Sequence, residues 1–375
     1  MLVPLSGSNA RRLYMIESPF FLLVLAIAFV VVTIVVLRIH AFLALIFAAI
    51  LVGIFSPLPL APDSSTAQPI LALQLTAEEF GRMAGNIGII IVLASIIGKC
   101  LLDSGAAEAI TRRLLRFLGR DRASLALLGS GYILSIPVFF DTVFYLLVPL
   151  AKALRIRTES HYALYVMAIC VGAALTHSLV APTPGPLIMA DNLHLNLGTT
   201  IIAGIAFSVL PGILVGWFFA RWQSGKVDIP LRESADSSQA DLLQLVQRRD
   251  DELPGFWISI LPIILPVVLI GAAAVSQTAH QSSVQAGDAG LDPALLNLLG
   301  FLGDRNAALI LSMCVALWLL IRHKRVSPRD LWTALEPSIA SAGVIILITS
   351  AGGAFGAMIR LAGVGDAIGS QVGSG

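Results

Sequence analysis

Two ionisable side chains lie deep inside apolar runs, where they can do chemistry. Asp141 stands in Ser135-Ile-Pro-Val-Phe-Phe-Asp-Thr-Val-Phe-Tyr-Leu-Leu-Val-Pro149. A charge at a bilayer centre costs about 2.5–3.5 kcal/mol or more, so its presence there needs a reason. Four residues past Pro137, Asp141 begins the second half of a broken helix, where it can cap free N–H groups and meet the positive end of the dipole. The competing role is a proton-binding carboxylate lining a cavity, and that reading is favoured. His177 is the one histidine in the interior of an apolar run, within Leu175-Thr-His-Ser-Leu-Val-Ala-Pro-Thr-Pro-Gly-Pro186. The prolines and glycine that follow read as non-helical, leaving backbone amides free to form an anion nest. A neutral imidazole can donate to a hydroxyl there, and a charged one can pair with a carboxylate. The alternative is a histidine bonded to a neighbouring helix.

Other polar positions carry weaker signals. His40, His161, His194, His280 and His323 sit in or near loops and read as solvated. Lys99 lies near a helix end, from which it can snorkel to the interface, with substrate contact as the less favoured alternative. Ser350 with Gly352 and Gly353, and Gly85 with Asn86, mark flexible elements, although glycine pairs also serve close helix packing. The sequence contains no nucleotide-binding loop, zinc-ligand spacing or Gly-x-Ser-x-Gly elbow. No cofactor or metal is therefore expected, nor an enzyme.

The elements that must position these residues are membrane helices. The chain is 57% hydrophobic and 13% charged, against about 25% charged in a soluble domain. Apolar runs cover Phe20–Leu37, Ala41–Phe55, Ile87–Leu102, Ala163–Val180, Thr200–Ala220, Phe256–Val275, Ala307–Ile321 and Ala340–Ile348. The first is long for a signal-peptide core and is followed at once by a second, so it reads as a retained helix. Cys100, Cys170 and Cys314 all fall in apolar runs, without metal or disulfide spacing. No basic stretch is interleaved with aromatics, so nucleic acid is not an expected partner; the lipid bilayer is.

Basic residues place Asp103–Arg122, Lys152–Thr158, Arg221–Leu253 and Arg322–Arg329 inside, and leave Pro57–Gly81, Met189–Gly198 and Ser276–Gly303 outside. Two successive inside segments flank the apolar stretch Ala123–Ala151. Either that stretch enters and returns, or Ile87–Gly119 forms the hairpin. Discontinuous backbone at membrane depth survives only where protein or a cavity satisfies it. A repeat is also legible: Gly98, Gly105, Glu108, Ala109 and Ile110 recur as Gly356, Gly363, Asp366, Ala367 and Ile368. An odd number of crossings between the copies would invert one relative to the other, as in many secondary transporters.

Three of these stretches carry a resemblance: Ile97-Gly-Lys-Cys-Leu-Leu-Asp-Ser-Gly105, Phe139-Phe-Asp-Thr-Val-Phe-Tyr-Leu-Leu-Val-Pro149 and Thr176-His-Ser-Leu-Val-Ala-Pro-Thr-Pro-Gly-Pro186. With Gly352-Gly-Ala-Phe-Gly356, they resemble the gluconate permease (GntP) family of the ion transporter superfamily. The resemblance implies an all-α polytopic membrane protein of the bacterial inner membrane, an inverted-repeat transporter with re-entrant hairpins and broken helices. It implies uptake of gluconate or a related sugar acid coupled to protons. Ser135, Asp141, Thr142, Thr176, His177, Thr183, Gly185, Gly352 and Gly353 would then line the substrate path, with Asp141 and His177 coupling protons. Sodium coupling, exchange of another carboxylate such as glycerate or citrate, and an inactive truncated remnant stay open as alternatives, as does a homo-oligomer. The chain reads as one transporter domain: a first half at 19–222, a cytoplasmic loop at 223–253 and a second half at 254–375. Family members continue beyond the second Gly-rich element, so the second repeat is read as incomplete.

Overall fold

Apolar runs that must satisfy their own backbone form helices, and caps set where those helices begin. Ser18 precedes Pro19 and accepts the Phe21 N–H, which starts α1 (Pro19–Val31). Asn196 accepts the Gly198 N–H at 2.9 Å at the head of a later helix, and Asp304 does the same for Asn306 at 2.9 Å. The computed structural model describes residues 18–56, 58, 67–158, 162–226, 252–286, 290–324 and 328–372. All regular structure among them is helical.

After α1, which runs on as a π turn over Val32–Val36, come α2 (Ala41–Phe55), α3 (Gln68–Asp103), α4 (Ala106–Leu118), α5 (Ala123–Leu134), α6 (Phe140–Thr158) and α7 (Tyr162–Leu179). Then follow α8 (Pro184–Asn192), α9 (Leu197–Ile213), a π turn Leu214–Phe219, α10 (Ala220–Ser224), α11 (Phe256–Gln285), α12 (Pro293–Leu302), α13 (Arg305–Lys324), α14 (Pro328–Leu361) and α15 (Val364–Val372). Among the described residues, seven helical stretches are long and apolar enough to cross a membrane. Most of the cytoplasmic loop expected at 223–253 lies outside the described residues.

Several expected boundaries move. Pro57–Gly81 was expected to be a loop, yet α3 already begins at Gln68 and has 36 residues. At 1.5 Å per residue it is about 54 Å long, well beyond a hydrocarbon core of about 30 Å. Its polar first part, with Arg82 bonded to Glu79 at 2.6 Å, needs no lipid-compatible composition to be helical. Likewise Ser276–Gly303 is largely helix, in the end of α11 and in α12, which Asp292 caps and Pro293 starts. Hydropathy marks what lies in lipid, and helices extend past it. The flexible elements expected at Gly85-Asn86 and at Ser350 with Gly352-Gly353 also lie within the unbroken helices α3 and α14. Gly353 serves close packing, since a Cβ there would lie 2.7 Å from the Met83 side chain.

The discontinuity expected between Ile87 and Ala151 occurs more than once: at Ser104-Gly105 between α3 and α4, at Gly119–Arg122 between α4 and α5, and at Ser135–Phe139, where α5 stops and α6 starts. With 12 residues, α5 is about 18 Å long and too short to span alone.

The repeat has a shared backbone form. α3 ends at Asp103, Gly105 takes φ +80°, and α4 follows; α14 ends at Leu361, Gly363 takes φ +76°, and α15 follows. Hydrogen bonds Ser104 N to Cys100 O, Gly105 N to Leu102 O and Ala109 N to Gly105 O recur as Ala362 N to Met358 O, Gly363 N to Arg360 O and Ala367 N to Gly363 O. Each glycine supplies the left-handed turn that lets one helix end and the next begin.

The chain divides into two compact units, residues 1–88 with 343–375, and residues 89–342. In the first, Leu22, Ala26, Ala49, Val52, Ala72, Met358 and Val364 form one buried cluster. In the second, α7 is flanked by α5, α6 and α9. Its approach to α5 is backbone on backbone: a Cβ on Gly172 would lie 2.2 Å from the Leu128 carbonyl oxygen. A Cβ on Gly204 of α9 would lie 2.1 Å from the Leu179 carbonyl. Gly172→Ala is therefore expected to destabilise the protein by about 1–3 kcal/mol or more through overpacking. Gly343→Ala, with nothing within 4 Å, should be neutral or stabilising by about 0.5–1 kcal/mol as an ordinary helix substitution. Thermal unfolding of both variants in detergent measures the contrast; equal melting temperatures would refute the close approach.

Candidate functional site

Proline sits in two of the helix breaks of the second unit. Pro137 sits in the turn between α5 and α6, and Pro182 in the turn between α7 and α8. The second break is shorter than expected, because Pro184, Gly185 and Pro186 form the first turn of α8. Proline is tolerated there, since first-turn N–H groups have no helical partner to lose. The consequence is a thin anion nest. Two of the first three residues of α8 lack an N–H, and Leu187 N is bonded to Thr183 O at 3.1 Å. Gly185 keeps its N–H and faces open space.

The two breaks meet. Ile136, Pro137, Val138 and Phe139 face Pro182, Thr183 and Pro184 across a crevice of about 10 Å³. The His177 ring stands edge-on to Phe139 with centroids 6.2 Å apart, and Asp141 is near enough for its charge to act on His177. The residues singled out around both breaks therefore share one neighbourhood, and their present bonding differs. Thr176 Oγ1 donates to Tyr132 O at 2.9 Å, with Gly172 O at 3.3 Å, tying α7 to α5. Thr183 Oγ1 donates to Val180 O at 2.6 Å. These two hydroxyl protons hold the scaffold. Ser135 Oγ and His177 Nδ1 are buried without a hydrogen-bond partner among the described residues, a state that costs about 1–3 kcal/mol per group. Asp141 is exposed in the first turn of α6, with Thr142 Oγ1 at 3.5 Å. Gly352 and Gly353 belong to the other unit, on α14.

A larger cavity opens beside the first break. It holds about 240 Å³ and is lined from α3 by Ser95, Gly98, Lys99 and Leu102, from the break and α6 by Val138, Phe139 and Thr142, and from α14 by Pro337, Ser338 and Ser341. Lys99 Nζ bonds Asp103 at 3.0 Å, and Ser95 Oγ donates to Ser338 O at 2.8 Å. Sequence reasoning favoured snorkelling over substrate contact for Lys99 and passed over Ser95, Ser338 and Ser341. The available signals were the helical spacing of Ser95, Lys99 and Leu102, and Pro337, which perturbs α14 next to two serines.

A helical membrane protein with apposed helix breaks and a polar cavity beside them has the form of a transporter. The GntP family permease model matches residues 18–374. This chain belongs to the GntP permease family. It is 32% identical over 342 residues to an uncharacterized permease of Haemophilus influenzae, covering 89% of this chain and 66% of that one. It is 27% identical over 334 residues to a gluconate permease of Pseudomonas aeruginosa, covering 88% and 69%. It is 25% identical over 351 residues to the Gnt-II system L-idonate transporter of Escherichia coli, covering 93% and 74%. The chain thus spans about two thirds to three quarters of the length of these relatives. Members of the family are permeases, not enzymes. As a member of the GntP permease family with seven apolar spans among its described residues, the chain is a multi-pass integral membrane protein, in bacteria one of the inner membrane.

The bonding pattern around the breaks separates scaffold from site. Thr176→Val should lower stability by about 1–3 kcal/mol, because a hydroxyl bond across α5 and α7 is lost. His177→Phe should leave stability unchanged or raised, since it removes an unpartnered buried polar atom. Thermal unfolding of the two purified variants checks both, and a marked loss in His177→Phe would show that the imidazole holds the fold together.

Proposed function

We propose that the protein imports gluconate or a related small sugar acid by secondary active transport coupled to protons. The observation that carries this reading is the apposition of two proline-broken helix pairs within one membrane-helical unit, beside a cavity holding a lysine and several hydroxyls. Broken helices at membrane depth present N–H groups and positive dipole ends to an anion. The relatives named for gluconate and L-idonate support the substrate class.

In this reading Asp141 and His177 carry the coupling proton. Ser135, Thr142 and Gly185 contact the substrate, and Thr176 and Thr183 fix the breaks that form its path. The matching turns at Gly105 and Gly363 support a repeat pair, which we read as inverted, with halves at 19–222 and 254–375.

Uptake of radiolabelled gluconate into proteoliposomes holding the full chain tests the reading. Accumulation should rise with an inward proton gradient and be indifferent to replacing sodium with potassium. Asp141→Asn should abolish gradient-driven accumulation while the protein still inserts. Normal accumulation by that variant would mean that Asp141 serves only the helix terminus.

A further inference from the structure

The cavity between α3, α6 and α14 has a composition that its walls do not need for packing. Lys99 projects from the same face of α3 as Ser95 and Leu102, at four- and three-residue spacing. Across from it stand Thr142 in the first turn of α6, and Ser338 and Ser341 in the turn of α14 that follows Pro337. Gly98 keeps the wall thin: a Cβ there would lie 3.0 Å from Val138. One ammonium, four hydroxyls and the N-terminal turn of a 19-residue helix thus line a space of about 240 Å³. Among the lining residues Lys99 alone is charged.

The bonding of Lys99 is equally informative. Its partner Asp103 lies 3.0 Å away, with side chains 30% and 20% exposed. Asp103 is also 3.9 Å from Lys324 Nζ. One carboxylate is therefore shared by two ammonium groups, and the cluster carries an excess positive charge. If Lys99 turns to another anion, Asp103 keeps Lys324, so neither carboxylate is left without a counter-charge. Such a lysine can be given up by its resident partner at small cost, which an isolated partly buried pair would not allow.

We propose that Lys99 anchors the carboxylate of a short polyhydroxylated monocarboxylate in this cavity, with Asp103 as the resident competitor that the ligand displaces. The hydroxyls of Ser95, Thr142, Ser338 and Ser341 face the polyol chain, and Phe139 closes the cavity on the side of the helix breaks. The proposal deepens the transport reading and rests on it. It assigns the binding step to Lys99, apart from the proton step at Asp141 and His177.

Equilibrium binding of radiolabelled gluconate to the purified full chain in detergent tests it, with glucitol as a competitor that keeps the hydroxyls and lacks the carboxylate. Glucitol should fail to compete. Lys99→Gln should weaken gluconate binding by roughly 30-fold or more, as for loss of one partner of a close charge pair, and Lys99→Arg should restore part of it. Asp103→Asn should tighten binding several-fold, because Lys99 no longer has a resident carboxylate to leave. A merely structural ion pair would make both neutralising variants move in the same direction. If Lys99→Gln binds gluconate as tightly as the unmodified chain, the anchor is elsewhere although the substrate reading stands. If the unmodified chain binds no gluconate, both readings fall. Should Lys99→Gln not fold, Asp103→Asn decides alone: tighter binding supports the anchor, and unchanged or weaker binding overturns it.

Discussion

Hydrocarbon offers no hydrogen bonds, so any break in a membrane helix must be enclosed by other protein. The second unit is organised around that requirement. Two breaks, at Pro137 and Pro182, are brought against each other, and helices α5, α7 and α9 approach without intervening side chains to do it. Gly172 and Gly204 make this approach feasible, since an added methyl at either would overlap a neighbouring carbonyl. Thr176 and Tyr132 then join the three helices. Thr176 donates to the Tyr132 carbonyl. The Tyr132 hydroxyl reaches Ser208 Oγ at 2.5 Å, and because Ser208 already donates to Ile205 O at 2.9 Å, the tyrosine is the donor. Lipid cannot drive helices together by hydrophobic burial, so close van der Waals contact and such interhelical bonds carry the association.

The enclosure separates two kinds of polar group. Hydroxyls whose protons are committed to carbonyls maintain the breaks. Ser135 and His177 retain buried atoms without partners among the described residues, and Lys99 holds a partner that it can share. Groups of the second kind are those with interaction capacity left for a solute. The same distinction places the open volume on the α3 and α14 side of Val138 and Phe139, where hydroxyls and an ammonium converge, and leaves the space between the breaks nearly closed.

Local chemistry was legible in the sequence, and distant pairing was not. Proline acts on its own helix, so the interruption at Pro137 and the placement of Asp141 in the first turn after it could be read directly. The left-handed glycines 105 and 363 were visible as a repeat because each helix end requires the same residue at the same offset. The first turn of α8 was misread, since Pro184-Gly185-Pro186 suits a helix start as well as a coil. The polar ends of α3 and α11 were missed because hydropathy is silent where a helix leaves lipid. Ser95 meets Ser338 across 243 residues of sequence, and no spacing rule reaches that far. Thr176 could not be identified as a tie between helices until its acceptor, Tyr132, had been located on α5.

The contact at Gly172 also sets a mechanical condition. A joint in which one backbone rests on another, with no side chain between them, has no room to slide: shear of a fraction of an ångström would drive Cα atoms into carbonyl oxygens. α5 and α7 must therefore travel as one stiff body through any rearrangement. The compliance has to be found elsewhere, in hinges at the unwound segments or in surfaces padded by flexible side chains. A part that transmits displacement without absorbing it behaves as a lever, and the two breaks lie at its end.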